Sequence, residues 1–575
     1  MRLEQRATAV LAAIMLLLNL PDADSQANAE RRAGDKPGIK MSCQPSDFIY
    51  RSGESKFQTI TDPSGKYLRL FLPGHHQSHE TGQPELPVWS QLVEVPDGME
   101  VVVSISEVTS RRIRFADHGA AQAELFPAQP ARTKNQVRDN RITVKDRKAY
   151  GSQNILMHDT VKVTHEGIFR GRRLANITVS PAFYNPGGRY VDLITSMKVV
   201  IGFKPEATKG EEQPEDPVNK GGFASDSYIT GYTDQPVHMI IVTDSIFRKH
   251  LEPLVKWKAL KGIRTTVIYK KSGPSDSIYK DLKNRISAVY FDLQEKGIPV
   301  HYLMIAGDQS IIPTSQGTTF VSDLYYGEFD GGGDYIPELF IGRLPASDTT
   351  QMKGMVRKII DYETNRLGPA VDNWSRALVT AGNAPGYELY MNGQVSYIYN
   401  TYLKTDTSLD AIGWLYPDSP QKDDSLKIVF NKGVSILNYT GHGEATGFSD
   451  PAFRTSMMNE FSNENKYPLI IANACRTAQI NVPSCFGTAM VATPGKGAIG
   501  YIGCTNDSYW SDDFFWAVGP GTPGPNVTFE TTGAGAFDRL FHTHGEPPGE
   551  WYYTMGQINF SGNMSVSAST SPRKK

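Results

Sequence analysis

Gly433-Val-Ser-Ile-Leu-Asn-Tyr-Thr-Gly-His-Gly443 and Tyr467-Pro-Leu-Ile-Ile-Ala-Asn-Ala-Cys-Arg-Thr477 decide the fold of this chain. In each, a short β-rich apolar run, Val434–Asn438 or Pro468–Ala474, breaks at a turn. Runs of this length bounded by Gly, Pro and Asn read as buried strands. A third run, Gly495-Lys-Gly-Ala-Ile-Gly-Tyr-Ile-Gly-Cys504, follows. In open α/β sheets, ligands and chemistry collect beyond the carboxyl ends of the strands. That rule puts His442 and Cys475 at one edge of one sheet. A thiol and an imidazole there are the parts of a cysteine nucleophile and its base.

Upstream, strands and helices alternate in the same way. Val237–Val242, Ile263–Tyr269, Val300–Ala306, Leu339–Ile341 and Ala377–Ala381 read as strands. Helices are expected over Ile246–Lys261, over Ser275–Lys296, from the Ser347-Asp348 cap to Asn365, and over Asn392–Leu403. Strands joined by crossover helices imply a mostly parallel sheet covered on both faces. The strand count predicts two side-by-side α/β units, residues 236–370 and 371–575. The segment after Gly545 is turn-rich and shows no element that closes the second unit.

Residues 40–205 differ in kind. Tyr67–Leu72, Met99–Ile105, Ile142–Val144 and Met197–Ile201 alternate as strands with few helical stretches between them, which predicts an all-β domain of sandwich type. Residues 206–235 form a linker whose core, Ala207–Gly222, is charged and rich in Pro and Gly. Residues 1–25 carry a basic start, an apolar run over Ala7–Leu20 and small residues before Gln26, the order of a signal peptide. Export to the cell exterior or envelope is expected, with no transmembrane anchor.

A formal net charge of -2 over 575 residues gives no electrostatic case for nucleic acid. The chain's 4 cysteines are too few for a disulfide framework. His75, His76 and His79 lie together, but nothing nearby completes a tetrahedral metal set.

A cysteine alone in an apolar run is usually a packed thiol, and Cys485 and Cys504 read that way. Cys475 and His442 differ because both terminate consecutive strands of one unit. Gly441 and Gly443 let backbone approach a substrate closely. The N–H groups of Gly443 and Cys475 are the expected oxyanion donors. An imidazolium beside Cys475 would hold its thiol below the ordinary range.

These pieces resemble the gingipain family of secreted cysteine peptidases, which share a caspase-like fold. The matching segments are Asn438-Tyr-Thr-Gly-His-Gly-Glu444, Ala474-Cys475, Asn481-Val-Pro-Ser-Cys-Phe486 and Glu338-Leu-Phe-Ile-Gly-Arg343, with Gly82-Gln-Pro-Glu-Leu-Pro-Val88 in the β domain. The resemblance implies His442 as base, Cys475 as nucleophile, protein or peptide substrates, and the β domain as an inhibitory propeptide. Where the family places an acidic residue to orient the imidazole, this sequence offers Asn383, and an amide can hold a tautomer as well. Between Tyr387 and Tyr397 only Glu388 is acidic, so arginine selectivity is not carried over. No cofactor is required. The family also binds calcium as a structural ion, and Asp323, Asp330 and Asp334 around a glycine turn are the oxygen donors on offer, with a solvated turn as the equal alternative. Two other readings stand beside hydrolysis: a sortase-like transpeptidase that matures surface proteins, and a catalytically inactive binding homologue.

Overall fold

The computed structural model describes residues 46–569, apart from 63, 132, 136–142, 207–236, 316–320, 332–333, 365, 367–373, 406–408 and 547–550. The expected signal peptide, Cys43 and nearly all of the expected linker lie outside the described residues.

The N-terminal strands are, in order, β1 (Ser46–Arg51), β2 (Lys56–Asp62), β3 (Gly65–Phe71), β4 (His76–Gln77), β5 (Pro87–Val95) and β6 (Met99–Arg114). They continue with β7 (Glu124–Leu125), β8 (Val161–Phe169), β9 (Arg172–Val179), β10 (Ala182–Asn185) and β11 (Tyr190–Pro205). One sheet runs β1-β11-β10 with β6 also on β11, and a second runs β4-β5-β9-β8. Trp89, Val93, Ile177 and Val179 of the second sheet pack on Met197, Val199 and Ile201 of the first. Alternate residues of each strand thus fill a shared core, which is a sandwich. β2, β3 and β7 form a third sheet. Of the strand expected at Ile142–Val144, Ile142 lies outside the described residues and the other two residues are not in a strand. Residues 143–146 are irregular, and the Asp146 side chain accepts from Lys148 N–H and Ala149 N–H to cap a short helix instead.

Residues 238–344 contain β12 (His238–Thr243), β13 (Arg264–Tyr269), β14 (Val300–Ala306) and β15 (Phe340–Leu344), all parallel in the order β13-β12-β14-β15. The second unit contains β16 (Arg376–Ala381), β17 (Asp410–Trp414), β18 (Ile436–Thr440), β19 (Gly443–Glu444), β20 (Gly447–Phe448), β21 (Phe453–Arg454), β22 (Leu469–Asn473) and β23 (Gly500–Gly503). Its main sheet is parallel, ordered β17-β16-β18-β22-β23. Each sheet has a hydrophobic core on both faces, so its strands read as continuous apolar runs. The helix Thr349–Glu363 ties the two units together. The buried Lys358 ammonium on it donates to the carbonyls of Val491 at 2.6 Å and Thr493 at 3.1 Å.

The second unit is closed by a helix that the sequence did not announce, Met555–Ala568, started by a Thr554/Gln557 capping box. It packs between the two layers of the molecule: Phe560, Met564 and Ala568 meet Phe340 on one side and Leu92, Phe169 and Leu174 of the sandwich on the other. The sandwich grips here through the β8–β9 turn. Arg170 at its tip is half-buried, donates from Nε to the Glu338 carbonyl at 2.9 Å, and lies over the Phe340 ring at 4.6 Å.

Candidate active site

β16, β18 and β22 are neighbours, and Ala381, Thr440 and Asn473 stand at one level: Ala381 pairs with Thr440, and Thr440 with Asn473. Asn383, His442 and Cys475 each follow two residues after those positions, at the carboxyl edge. Parallel strands lie about 4.8 Å apart, so the geometry of the sheet alone sets the two reactive groups side by side. The His442 turn presses on the Cys475 turn. A Cβ on Gly443 would stand 2.8 Å from Thr477 Cγ2 and 2.9 Å from Ala474 Cβ, so only glycine fits. Gly441 N–H donates to the Asn473 carbonyl at 3.2 Å. The His442 carbonyl is fixed by Tyr439 Oη at 2.7 Å and Ser449 N–H at 3.1 Å.

Cys475 is fully buried. Its Sγ accepts from Ser508 N–H at 3.2 Å and lies 3.7 Å from the Ser508 carbonyl. Arg476, next in sequence, sits at φ 59, a left-handed turn that turns the chain sharply away behind the thiol. The Cys475 N–H makes no backbone hydrogen bond among the described residues. Cys485 is also buried, bonded to Thr488 Oγ1 at 3.3 Å, and Cys504 follows directly after β23.

Lys134 of the sandwich domain enters this site. Its side chain has no exposure, and its Nζ lies 2.7 Å from Asp513 Oδ2, donates to the Asn473 carbonyl at 2.6 Å, and stands 4.4 Å from the centroid of Trp510. Lys134 N–H donates to the Ser508 carbonyl at 2.9 Å, and Thr133 bridges Tyr509 in antiparallel sense. The segment therefore meets residues 508–509 through one isolated antiparallel bridge. Trp510 turns its edge to the His442 ring at 5.5 Å between centroids, so one indole borders both the lysine pocket and the imidazole.

Electrostatics in this closed arrangement run against the expected thiolate. Burial pushes the Cys475 thiol up, against weaker help from Ser508 and the Lys134 ammonium. Burial first, and the Lys134 ammonium second, hold His442 below its ordinary value; Asp450 and a hydrogen bond to the Lys134 backbone oppose this. Both groups are driven toward their neutral forms, because the sandwich domain removes the water that would solvate an ion pair.

Asn383 is exposed, and none of the described hydrogen bonds joins it to His442. Asp450 favours the charged imidazole, against the larger effect of burial. Glu388 accepts from Gly386 N–H at 2.8 Å and takes no part in the lysine pocket. The three aspartates proposed to hold calcium are spent elsewhere. Asp323 forms a fork-to-fork pair with Arg343, at 2.7 Å to Nε and 2.6 Å to Nη2. Asp334 accepts from Ile168 N–H at 2.6 Å and Ile336 N–H at 2.8 Å. Asp330 faces Glu338. Nearness in sequence did not bring their lone pairs to one point, and no group of three or more His, Cys, Asp or Glu side chains that could hold a metal occurs among the described residues. These residues do not fit a calcium ion. His75 is likewise committed, to Tyr50 Oη at 2.6 Å and the Pro73 carbonyl at 2.7 Å.

Sequence reasoning missed Lys134, Asn473, Ser508, Trp510 and Asp513. None carries a local signal: Lys134 lies in a polar, aperiodic stretch, and Asp513 sits in the first turn of the helix Trp510–Val518, where a carboxylate is ordinary.

Residues 232–574 match the model of peptidase family C25, and residues 36–236 match that of Propeptide_C25. Lys-gingipain of Porphyromonas gingivalis is 28% identical over 554 residues, covering 92% of this chain and 31% of the relative. Gingipain R1 of the same species is 24% identical over 507 residues, covering 83% of this chain and 49% of the relative. A solved structure titled "Structure of Protease" has a TM-score of 0.53 and 29% identity, covering 58% of this chain and 72% of that one. The chain thus spans less than half the length of these two curated relatives. No helix among the described residues is long and apolar enough to cross a membrane.

Proposed function

The chain belongs to peptidase family C25, and from that premise we propose that it is an exported cysteine endopeptidase cleaving after lysine, held shut by its own N-terminal domain. One observation carries the reading: the Lys134 ammonium is paired with Asp513, capped by the Asn473 carbonyl and laid on Trp510, beside Cys475 and His442. A compact ammonium with three donors fits a carboxylate, a carbonyl and a ring face; a planar guanidinium needs a wider fork. The name Lys-gingipain of a relative agrees with a lysine-directed site.

In this reading a substrate lysine replaces Lys134. With the sandwich domain gone, water returns and the His442–Cys475 pair can ionise. The Cys475 thiolate attacks the carbonyl of the lysine, and the N–H groups of Gly443 and Cys475 hold the oxyanion. His442, biased by Asp450, protonates the leaving amine and then activates water against the acyl-enzyme. The signal-like N-terminus supports export. Nothing in the site favours transpeptidation or an inactive homologue.

The test uses the full chain nicked in the linker by a glutamate-specific serine protease, which is then quenched. Peptides differing only in Lys, Arg or Gln before the scissile bond should be cut in that order. Asp513→Asn should lower kcat/KM for the lysine peptide on the order of 10²-fold, as expected for truncating one partner of a buried charge pair. Equal cutting of all three peptides rejects the reading.

A further inference from the structure

Resting on that reading, we infer that Asp507 is a specificity-determining residue on the leaving-group side of the scissile bond, selecting a neutral hydrogen-bond donor such as asparagine after lysine and rejecting an acid there. Lys134 occupies the place of the substrate lysine, so Asn135 occupies the place of the residue that follows. Asn135 Nδ2 donates to Asp507 Oδ1 at 3.2 Å. This contact is separate from the lysine pocket: it uses another carboxylate, on the opposite side of Ser508, whose carbonyl receives Lys134 N–H.

Asp507 is held ready for the contact. Arg476 clamps it with two parallel bonds, Nε to Oδ1 at 2.7 Å and Nη2 to Oδ2 at 3.1 Å. Arg476 is itself set by its left-handed backbone and by its N–H bond to the Asn506 carbonyl at 3.0 Å. Because Arg476 directly follows Cys475, the clamp couples the nucleophile turn to the subsite, and Arg476 is a positioning residue. The ion pair fixes the carboxylate oxygens without consuming them. Oδ1 accepts from both Arg476 and Asn135, and no donor faces Asn135 from Asp507. An amide N–H is matched there. An aspartate of the same shape brings lone pairs against lone pairs, which is rejection by repulsion rather than by size.

Asn and Asp are near-isosteres, so a pair of peptides, one with Lys-Asn and one with Lys-Asp at the cleavage point, isolates the effect, with Lys-Gly as reference. For the nicked full chain we expect Lys-Asn to exceed Lys-Asp roughly 5- to 10-fold in kcat/KM, the size of one partly exposed charge-assisted hydrogen bond. Asp507→Asn supplies an amide that can both accept and donate, and should bring the ratio to about 1 by raising Lys-Asp turnover. Cleavage of Lys-Gly with no Asn/Asp discrimination in the unsubstituted chain overturns the inference and leaves lysine specificity standing. An unchanged ratio in Asp507→Asn also overturns it. No cleavage after lysine in any of the three peptides overturns both readings together.

Discussion

Two of the contacts by which the N-terminal domain meets the catalytic units are built on opposite principles. At Lys134 the contact is a single charged side chain with no exposure, held by one carboxylate, one carbonyl and one ring. At Arg170 the contact is broad and mostly apolar: Phe169 stacks on Phe560 at 4.5 Å and joins Leu92, Leu174, Phe340 and Met564 in one cluster. There the Arg170 guanidinium meets the carbonyls of Glu338 at 2.9 Å and His301 at 3.4 Å. On the proposed reading Lys134 is a plug that resembles substrate, so it is polar, and any lysine-bearing chain competes with it. An anchor need not resemble anything, so it draws on buried apolar area, which is not directional and which substrate cannot imitate. On that reading blocking falls to the Lys134 contact and affinity to contacts of the Arg170 kind.

The division can be broken most sharply at the plug. Lys134→Ala in the uncut chain should raise peptidase activity on the order of 10²-fold over the uncut parent, because a buried charge pair is worth several kcal/mol when one partner goes. The sandwich domain should stay bound through the anchor, which co-elution on gel filtration after nicking would check. The same substitution should speed iodoacetamide alkylation of Cys475, since burial is the leading reason its thiol stands high. A variant that remains as silent as the parent in both assays would mean that Lys134 is not the block.

At the anchor the effect should be smaller and of another kind. Arg170→Ala should leave the uncut chain latent, since the plug is tethered. Added back in trans after nicking, the N-terminal piece should inhibit roughly 10- to 100-fold less well, the range for two hydrogen bonds from a charged donor. Arg170→Lys should not restore it, because the fork and the guanidinium's contact with the Phe340 ring are lost together. Loss of latency in uncut Arg170→Ala, or unchanged inhibition by the cut piece, would erase the distinction between plug and anchor.

The two contacts also differ in how they relate to sequence. The edge that carries His442 and Cys475 was legible because register is a local property: Thr440 and Asn473 end apolar runs, and two residues further on lie the imidazole and the thiol. The plug was not, since Lys134 and Asp513 acquire meaning only through each other, across 379 residues and a domain boundary. The closing helix Met555–Ala568 was hidden for a different reason. It is buried nearly all round, at Gln557, Ser561, Gly562 and Ser565 as well as at Ile558 and Phe560, so it shows no apolar stripe. A Cβ on Gly562 would collide with the Trp516 ring. Small residues there are a packing requirement that looks, in one dimension, like a loop. The aspartate cluster differs again: its acids are close in sequence, but Asp323 pairs with Arg343, Asp334 accepts from backbone amides, and Asp330 lies against Glu338.

The smallest expected effect concerns pH, and it separates the two contacts once more. Glu338, whose carbonyl receives Arg170, has its carboxyl pushed up to about 9, first by burial and then by Asp330 beside it. Phe329 N–H donates to its Oε2 at 3.0 Å, which does not overcome the cost of burying an anion. In the unfolded chain the same carboxyl sheds its proton near its ordinary value of about 4.3. Between those values the folded form holds more protons than the unfolded, so stability falls as pH rises. The stabilisation is complete below the unfolded value and is lost as pH climbs through about 9. Thermal midpoints of the uncut chain should therefore decline from pH 5 to pH 9, with this group contributing roughly 2–4 °C for each kcal/mol it loses. Glu338→Gln keeps the shape and cannot ionise, so it should flatten that part of the slope. Because the loop that carries Glu338 also receives Arg170, the anchor should loosen at high pH before the plug does. Inhibition by the cut N-terminal piece should then weaken from pH 7 to pH 9 in the parent and hold steady in Glu338→Gln. Parallel slopes for parent and variant would remove Glu338 from the account and leave the anchor indifferent to pH.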